Sequence, residues 1–524
     1  MTTRTLPAAL AGAAAAAFLG VFLVWPLGVI LVRSFSSPEG LGTIVSDPWY
    51  WRVAGFTFGQ ALLSTFLTLL AGLPAAIVFA RWSFPGRRLL RSAFTIPFVM
   101  PTVVAGMGFL ALTGPGGLLG INLRDSFALI MLAHVFYNAA LVIRIVGSFL
   151  ETAARSPEQA AATLGAGQLR ILFRVTLPLA TPAIIAAAAL VFVLTFTSFG
   201  VLMILAPSWS TFEVEIYRLT ARLLRLDAAA VLVVVQLLTV TLSTVLYTRW
   251  QARLATPVTG AAATPPPARG WQLLPVTLLL LPALLLTVAP LLALVVQTFF
   301  RTGFLPDLSA FRQLLEVRPS AMFPGVGRAV LNSVFFAGSS MVVALIVGAC
   351  FAWATVRAGW RWLDSLSLVP LATSAVTLGF GYLLAFPQLT LSPWGIILAH
   401  SLIAFPFVTR SLLPALRGIP ENVTAAAETL GAGPLGILRR VELPLLVPAL
   451  LTAAAFAFAI SLGEFGASLV ITRPEYATVP VAVFDRLSRP GAANHAAALA
   501  LSFLLMSLTG AIMLLFERPH RTEL

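Results

Sequence analysis

Leu164-Gly165-Ala166-Gly167, running on to Leu177-Pro178, returns as Leu430-Gly431-Ala432-Gly433, running on to Leu443-Pro444, at an offset of 266 residues. The same offset carries Leu132-Ala133-His134 onto Leu398-Ala399-His400, Arg144 onto Arg410 and Pro182 onto Pro448. Matches spread over so long a stretch do not arise by chance, and the chain is two copies of one unit. Further upstream the offset is 273, pairing Pro97 with Pro370 and Gly106 with Gly379, so the first copy holds seven extra residues near Gly114 to Asp125. Slippage of that kind belongs in a loop.

Composition sets the solvent. Of 524 residues, 59% are hydrophobic and 10% charged, more apolar than a soluble chain of this size. The apolar runs are about 20–28 residues long, and at about 1.5 Å per residue each crosses a ~30 Å hydrocarbon core as a helix. A transmembrane barrel would instead alternate polar and apolar over about ten residues. The runs lie near 8–32, 57–80, 92–112, 126–150, 182–206 and 227–247, then near 272–299, 328–355, 364–386, 393–416, 446–471 and 491–516. This pattern predicts an all-α polytopic membrane protein with 12 transmembrane helices in two six-helix repeats, 1–255 and 271–524. An even number of spans per copy returns the chain to its starting side, so the repeats are parallel rather than inverted. Both motif loops then face one compartment. The first run, Pro7 to Val32, follows Arg4 but exceeds the 7–15 residue core of a signal peptide, which predicts a retained span.

The net charge of +14 comes from arginine alone, with no lysine in the chain. Arg81, Arg87, Arg88 and Arg91 follow the second span, and Arg249, Arg253 and Arg269 flank the junction of the copies, which marks those loops as cytoplasmic. Arg218, Arg222 and Arg225 fall on the opposite side and weaken the bias. Between the copies, residues 256–270, with Pro265-Pro266-Pro267, predict a semi-extended cytoplasmic linker. The basic balance suits lipid headgroups and topology, and no aromatic-basic constellation points to nucleic acid. Without lysine the chain cannot form a phosphate-binding P-loop. Cys350, the only cysteine, predicts a small buried residue and rules out a disulfide or cysteine-rich metal site within one chain.

The loop after the fourth span of each copy begins Pro157-Glu158-Gln159-Ala160-Ala161 and Pro420-Glu421-Asn422-Val423-Thr424-Ala425-Ala426-Ala427-Glu428. Proline suits a helix start, alanine its body, and the glycine at Gly165 or Gly431 the left-handed turn that ends it. An amphipathic stretch comes next, Leu169 to Leu177 or Leu435 to Leu443. The expectation is a short helix, a sharp turn and a second helix lying at the membrane surface. Its small exposed residues admit the close approach of a partner.

This pattern resembles the loop motif of the inner-membrane permeases of binding-protein-dependent ABC importers, where a glutamate-alanine-alanine triplet precedes a glycine and, later, leucine-proline. Here the triplets read Gln159-Ala160-Ala161 with Gly165 and Pro178, and Ala425-Ala426-Ala427 with Gly431 and Pro444; the glutamate is absent from both, with Glu158 and Glu428 as its neighbours. The resemblance covers both halves and looks like the fused, two-copy permeases of thiamine and ferric-iron importers. It implies a type I importer permease fold in the cell inner membrane. It also implies two copies of an ATP-binding subunit, each docked on one loop, and an extracytoplasmic substrate-binding protein. ATP and magnesium would then belong to the partner ATPase, with no cofactor or covalent chemistry in this chain.

For the substrate pathway, Glu464 within Ser461-Leu462-Gly463-Glu464-Phe465-Gly466 is an acidic residue in an apolar segment, a functional candidate by default. It aligns with Ser198, within Phe196-Thr197-Ser198-Phe199-Gly200, which predicts an asymmetric pathway. Phe196, Phe199 and Phe465 are able to contact a cationic ring. The competing reading makes Glu464 a structural carboxylate paired with an arginine such as Arg473. His134 and His400 are equivalent by duplication; without nearby carboxylates they suggest packed neutral histidines rather than a metal pair, and His495 and His520 add no ligand spacing. The stretches 132–138 and 211–217 look more like thiamine than iron permeases. An ion-coupled secondary transporter is the alternative class, although it leaves the twin loops without a role and needs ionisable groups in the spans beyond Glu464.

Overall fold

The computed structural model describes residues 6–153, 155–254, 265–301, 303, 305–316, 319, 323–367, 369–471 and 473–516. Residues 256–264 of the linker and His520 lie outside the described residues.

Among the described residues, ten helices are long and apolar enough to cross a membrane. The first half contributes Leu6–Ser36, Pro48–Arg81, Phe127–Glu151, Gln168–Phe196 and Leu226–Trp250, and the second Val276–Phe299, Val326–Arg357, Pro393–Arg417, Pro434–Gly463 and Ala492–Leu515. The third pass of each half is broken, where the sequence predicted a continuous span. In the first half Arg87–Pro97 and Thr102–Thr113 meet at 103°. Pro101 causes the break, because the residue before a proline is driven out of the helical region, and Met100 is extended at φ −69°, ψ 133°. In the second half Pro370 lies in a short turn at Val369–Ala372, and the pass resumes as Ala375–Ala385, capped by Ser374 accepting from the Thr377 amide at 3.0 Å.

Duplication is visible in the packing. A Cβ on Gly72 would lie 2.7 Å from Val142, and one on the equivalent Gly348 2.6 Å from Val408. The halves also exchange their first helices. Leu6–Ser36 packs against Val326–Arg357 and Ala375–Ala385 of the second half, whereas Val276–Phe299 packs against Thr102–Thr113 of the first. The crossing points are again equivalent and close: a Cβ on Gly108 would fall 2.6 Å from the Pro290 carbonyl oxygen, and one on Gly381 3.0 Å from Pro26. Small residues allow such approach where apolar burial gives helices in lipid little reason to associate. The described end of the linker is pinned as well, with the Ser83 amide donating to Pro266 O at 2.9 Å and the Ala268 amide to Ser83 O at 2.8 Å.

Candidate functional site

The short loop helices form as expected, at Arg155–Thr163 and Glu421–Thr429. Each ends on a left-handed glycine, Gly165 at φ +80° and Gly431 at φ +82°. The chain closes by paired reverse hydrogen bonds: the Gly165 and Ala166 amides donate to Ala162 and Ala161 O, and those of Gly431 and Ala432 to Glu428 and Ala427 O. Gln159, Ala160, Ala425, Ala426 and Glu428 are exposed, Ala161 and Ala427 half-buried. Leu164 and Leu430 stand out at 88% and 87% exposure beside the turn.

Beyond the turn the structure departs from expectation. Instead of lying apart, the second helix continues into the fifth span, giving Gln168–Phe196 and Pro434–Gly463. A wide turn occupies Leu172–Thr176 and Leu438–Glu442, and the Leu177 and Leu443 amides reach five residues back to Leu172 and Leu438 O. Pro178 and Pro444 explain it: a helical proline lacks a donor and crowds the carbonyl four residues before it, and a π turn absorbs both defects without ending the helix.

Each loop is tied to the second span of its half by a different carboxylate. In the first, Arg81 Nη2 donates to Glu158 Oε1 at 3.0 Å and to Thr176 Oγ1 at 3.0 Å, and Thr176 donates to the same carboxylate. In the second, Arg357 Nε donates to Glu442 Oε1 at 2.6 Å, while Trp353 Nε1 donates to Glu442 Oε2 at 3.1 Å. Glu442 holds the position of Thr176, so the anchoring charge lies in the loop helix in one copy and at the start of the fifth span in the other. Glu442 is buried, and removing it strands its arginine. Glu442→Ala should therefore cost about 3 kcal/mol and lower the apparent melting temperature of the purified chain. Glu158→Ala, at a pair about one-fifth exposed, should cost about 1 kcal/mol.

The fifth span of each half breaks at Thr197-Ser198-Phe199 and at Glu464-Phe465, and a histidine from the fourth span braces each break. His134 lies between Ser64 Oγ at 2.8 Å on Nδ1 and Ser198 Oγ at 2.9 Å on Nε2. His400 lies between Ser461 Oγ at 2.8 Å on Nδ1 and Ser468 Oγ at 2.9 Å on Nε2, with Glu464 Oε2 3.1 Å from Nε2. Glu464 also caps the helix Gly466–Ile471: Oε1 accepts from the Ala467 amide at 2.9 Å, and Oε2 from the Ser468 amide at 3.0 Å and the Ser468 hydroxyl at 3.1 Å. The carboxylate is thus held by His400 and a helix N-terminus, where the sequence had suggested an arginine such as Arg473.

Between the breaks lies a cavity of about 380 Å³, lined by residues of both halves that include Tyr137, Ser198, Phe199, Glu213, Glu464 and Phe465. Among the described residues its lining has two carboxylates and no arginine. Phe199 and Phe465 stack across the seam at 5.5 Å and 28°, Phe199 meets Tyr217 at 5.5 Å, and Phe465 meets Phe484 at 5.5 Å. Tyr217 and Phe484 in turn line a second cavity of about 540 Å³ on the face away from the loops, with Arg124, Arg218 and Arg222 in its wall. The four rings thus run as a row from the cavity wall, at Phe199 and Phe465, to the wall of this vestibule, at Tyr217 and Phe484. The sequence marked Ser198, Phe199, Glu464 and Phe465, all of which meet here; Glu213 joins them from the stretch 211–217, which the sequence singled out for its likeness to thiamine permeases without placing that carboxylate in the pathway.

A helical body of two equivalent halves around a central cavity, with two matched loops on one face, defines a transport protein of the membrane. Residues 70–257 match the family described as binding-protein-dependent transport system inner membrane component. The chain is 28% identical over 511 residues to the thiamine transport system permease protein ThiP of Escherichia coli K12, covering 92% of each chain. It is 27% identical over 503 residues to that of Brucella abortus 2308, covering 90% of this chain and 88% of the relative. It is also 32% identical over 197 residues to the putative 2-aminoethylphosphonate transport system permease protein PhnV of Salmonella typhimurium LT2, covering 36% of this chain and 73% of the relative. The chain belongs to the family of inner-membrane components of binding-protein-dependent transport systems, as a fused, multi-pass permease of the inner membrane.

Proposed function

We propose that this chain forms the translocation pathway of an ABC importer for thiamine or thiamine phosphates. Two ATP-binding subunits, which carry ATP and magnesium, drive it from the cytoplasmic side through 158–165 and 421–431. The observation that carries the reading is the cavity between the halves. Its volume of about 380 Å³ falls in the ~300–1,000 Å³ range of small-molecule sites. Among the described residues its wall offers carboxylates and the Phe199 and Phe465 rings, and no arginine, to a flat aromatic cation. The vestibule beyond the ring layer has the opposite character, and Arg124, Arg218 and Arg222 suit the phosphate of a phosphorylated cargo. The names of the full-length relatives in Escherichia coli and Brucella point to the same cargo.

An extracytoplasmic binding protein delivers cargo to the vestibule. ATP binding draws the two ATPase subunits together, the loops transmit the movement, and the fifth spans part along the ring layer. Because the second helix of each loop is continuous with the fifth span, a displacement at Gln168 or Pro434, just past the glycine turn, is carried along one helix to the break at Ser198 or Glu464. Deleting the gene and following labelled thiamine and labelled ferric iron into starved cells tests the reading. Loss of thiamine uptake alone is the expected result, and loss of iron uptake with thiamine uptake intact would overturn it.

A further inference from the structure

We propose that Glu213 is the residue that recognises the positive charge of the cargo, a carboxylate aimed at an aromatic cation held between the halves. The assignment rests on the thiamine reading and deepens it.

Glu213 lies in the short helix Phe212–Tyr217, is 0% exposed and lines the central cavity. Gln236 Nε2 donates to its Oε1 at 2.6 Å. The Ser374 hydroxyl of the second half also lies beside the carboxyl, yet among the described residues no donor makes a well-formed hydrogen bond to Oε2, although that atom is buried. A buried carboxylate oxygen without a donor carries the full penalty of lost hydration, and in the wall of a cavity such an oxygen is where a ligand's positive charge gains most. Glu464, the carboxylate visible from the sequence, is differently placed: two backbone amides, a hydroxyl and His400 already surround it. It shapes the break in the span, whereas Glu213 keeps free acceptor capacity.

The two halves treat this position differently. Thr211 and Thr478 open equivalent short helices, and the amide after each donates to a hydroxyl of the second pass of its half, Phe212 to Thr57 at 3.1 Å and Val479 to Ser333 at 2.8 Å. In that register Glu213 stands opposite Pro480, one residue away from the 266 offset that pairs Ser198 with Glu464. The cavity therefore carries this carboxylate on one side only, which suits one cation per transport cycle. Gln236 lies within 3.2 Å of Ser374 Oγ and 3.3 Å of Thr377 Oγ1 in the second half. The grip on Glu213 is thus shared between the halves and changes when they move.

The test uses the assembled importer in proteoliposomes with two probes of one shape, thiamine and an analogue in which a neutral thiophene replaces the thiazolium ring. The unaltered chain is expected to favour thiamine at least about tenfold. Glu213→Gln, which keeps the volume and the Gln236 contact, should lose that preference and most of the thiamine uptake while transport of the neutral analogue persists. Glu213→Asp should keep the preference at a reduced rate, and it decides the matter should the glutamine variant not assemble. Retained preference in Glu213→Gln, or its loss in an assembled Glu213→Asp, overturns the assignment of Glu213 and leaves the thiamine reading in place. An unaltered importer that carries no thiamine overturns both.

Discussion

Valine in place of Gly431, together with valine in place of Gly165, is expected to reduce uptake by at least about tenfold while the chain still accumulates in the membrane. Both glycines have φ near +80°, a region where a Cβ meets its own backbone at about 1–2 kcal/mol per residue and where β-branched side chains are rarer still. A Cβ at either position would meet nothing within 4 Å, so the penalty comes from the turn itself and not from a clash with the membrane body. Relief requires the turn to open, which swings Leu164 or Leu430 away from the loop helix and breaks the surface proposed to dock an ATPase subunit. Two such sites at about 1.4 kcal/mol each exceed a tenfold change. Gly167 and Gly433 provide the contrast. They are equally uncrowded but extended, at φ −68° and φ −71°, and alanine there should cost far less. The measurement is labelled-thiamine uptake with chain level by immunoblot, alongside the amount of ATPase retained on the tagged chain. Equal tolerance at all four positions would show that the left-handed turn does not transmit force.

Those two turns illustrate what a sequence makes legible. A left-handed turn after an alanine-rich helix needs glycine for local reasons, so Gly165 and Gly431 announce themselves without tertiary context. The helical class and most spans are equally local, because a run of apolar residues as long as the bilayer is thick satisfies its own backbone only as a helix. The breaks are harder to see. Pro101 and Pro370 were visible, yet a proline within a transmembrane helix is tolerated when neighbours satisfy the freed groups, so only packing reveals that these passes bend while Pro178 and Pro444 are absorbed by a wide turn. The exchange of first helices between the halves depends on which surface meets Gly108 and Gly381, and that is a property of the assembled pair. Glu213 stayed hidden for a further reason: its equivalence to Pro480 is displaced by one residue from the repeat register, and its significance lies in a donor it lacks. The two loop anchors, Glu158 and Glu442, likewise serve equivalent arginines from positions that no fixed offset aligns.

Removing both stacked rings, Phe199→Ala with Phe465→Ala, should have the second large effect, and of a different kind. These side chains are 7% and 3% exposed and stack at 5.5 Å, with Tyr217 and Phe484 completing the layer on either side. The layer has members in the wall of the cavity of about 380 Å³ and in that of the vestibule of about 540 Å³, and is taken as the barrier between them. Truncating two phenylalanines to alanine leaves a hole that a packed helical body collapses around only partly, and with Glu464 fixed by the helix it caps, the breaks in the fifth spans have little freedom to close it. Cavity and vestibule then become continuous. Proteoliposomes containing the double variant should release trapped small organic cations without ATP, whereas those containing the unaltered chain stay tight, and uptake driven by ATP should fall as the gradient leaks away. Loss of buried ring contacts also destabilises the chain, by about 3–5 kcal/mol for each phenylalanine in a well-packed setting. Phe199→Leu with Phe465→Leu separates the effects, since leucine restores most of the apolar volume without a stacked face. The leucine pair should assemble and remain largely tight. Tight vesicles from a folded alanine double variant would mean that the barrier lies elsewhere, nearer the loop face, and that the ring layer only packs the seam.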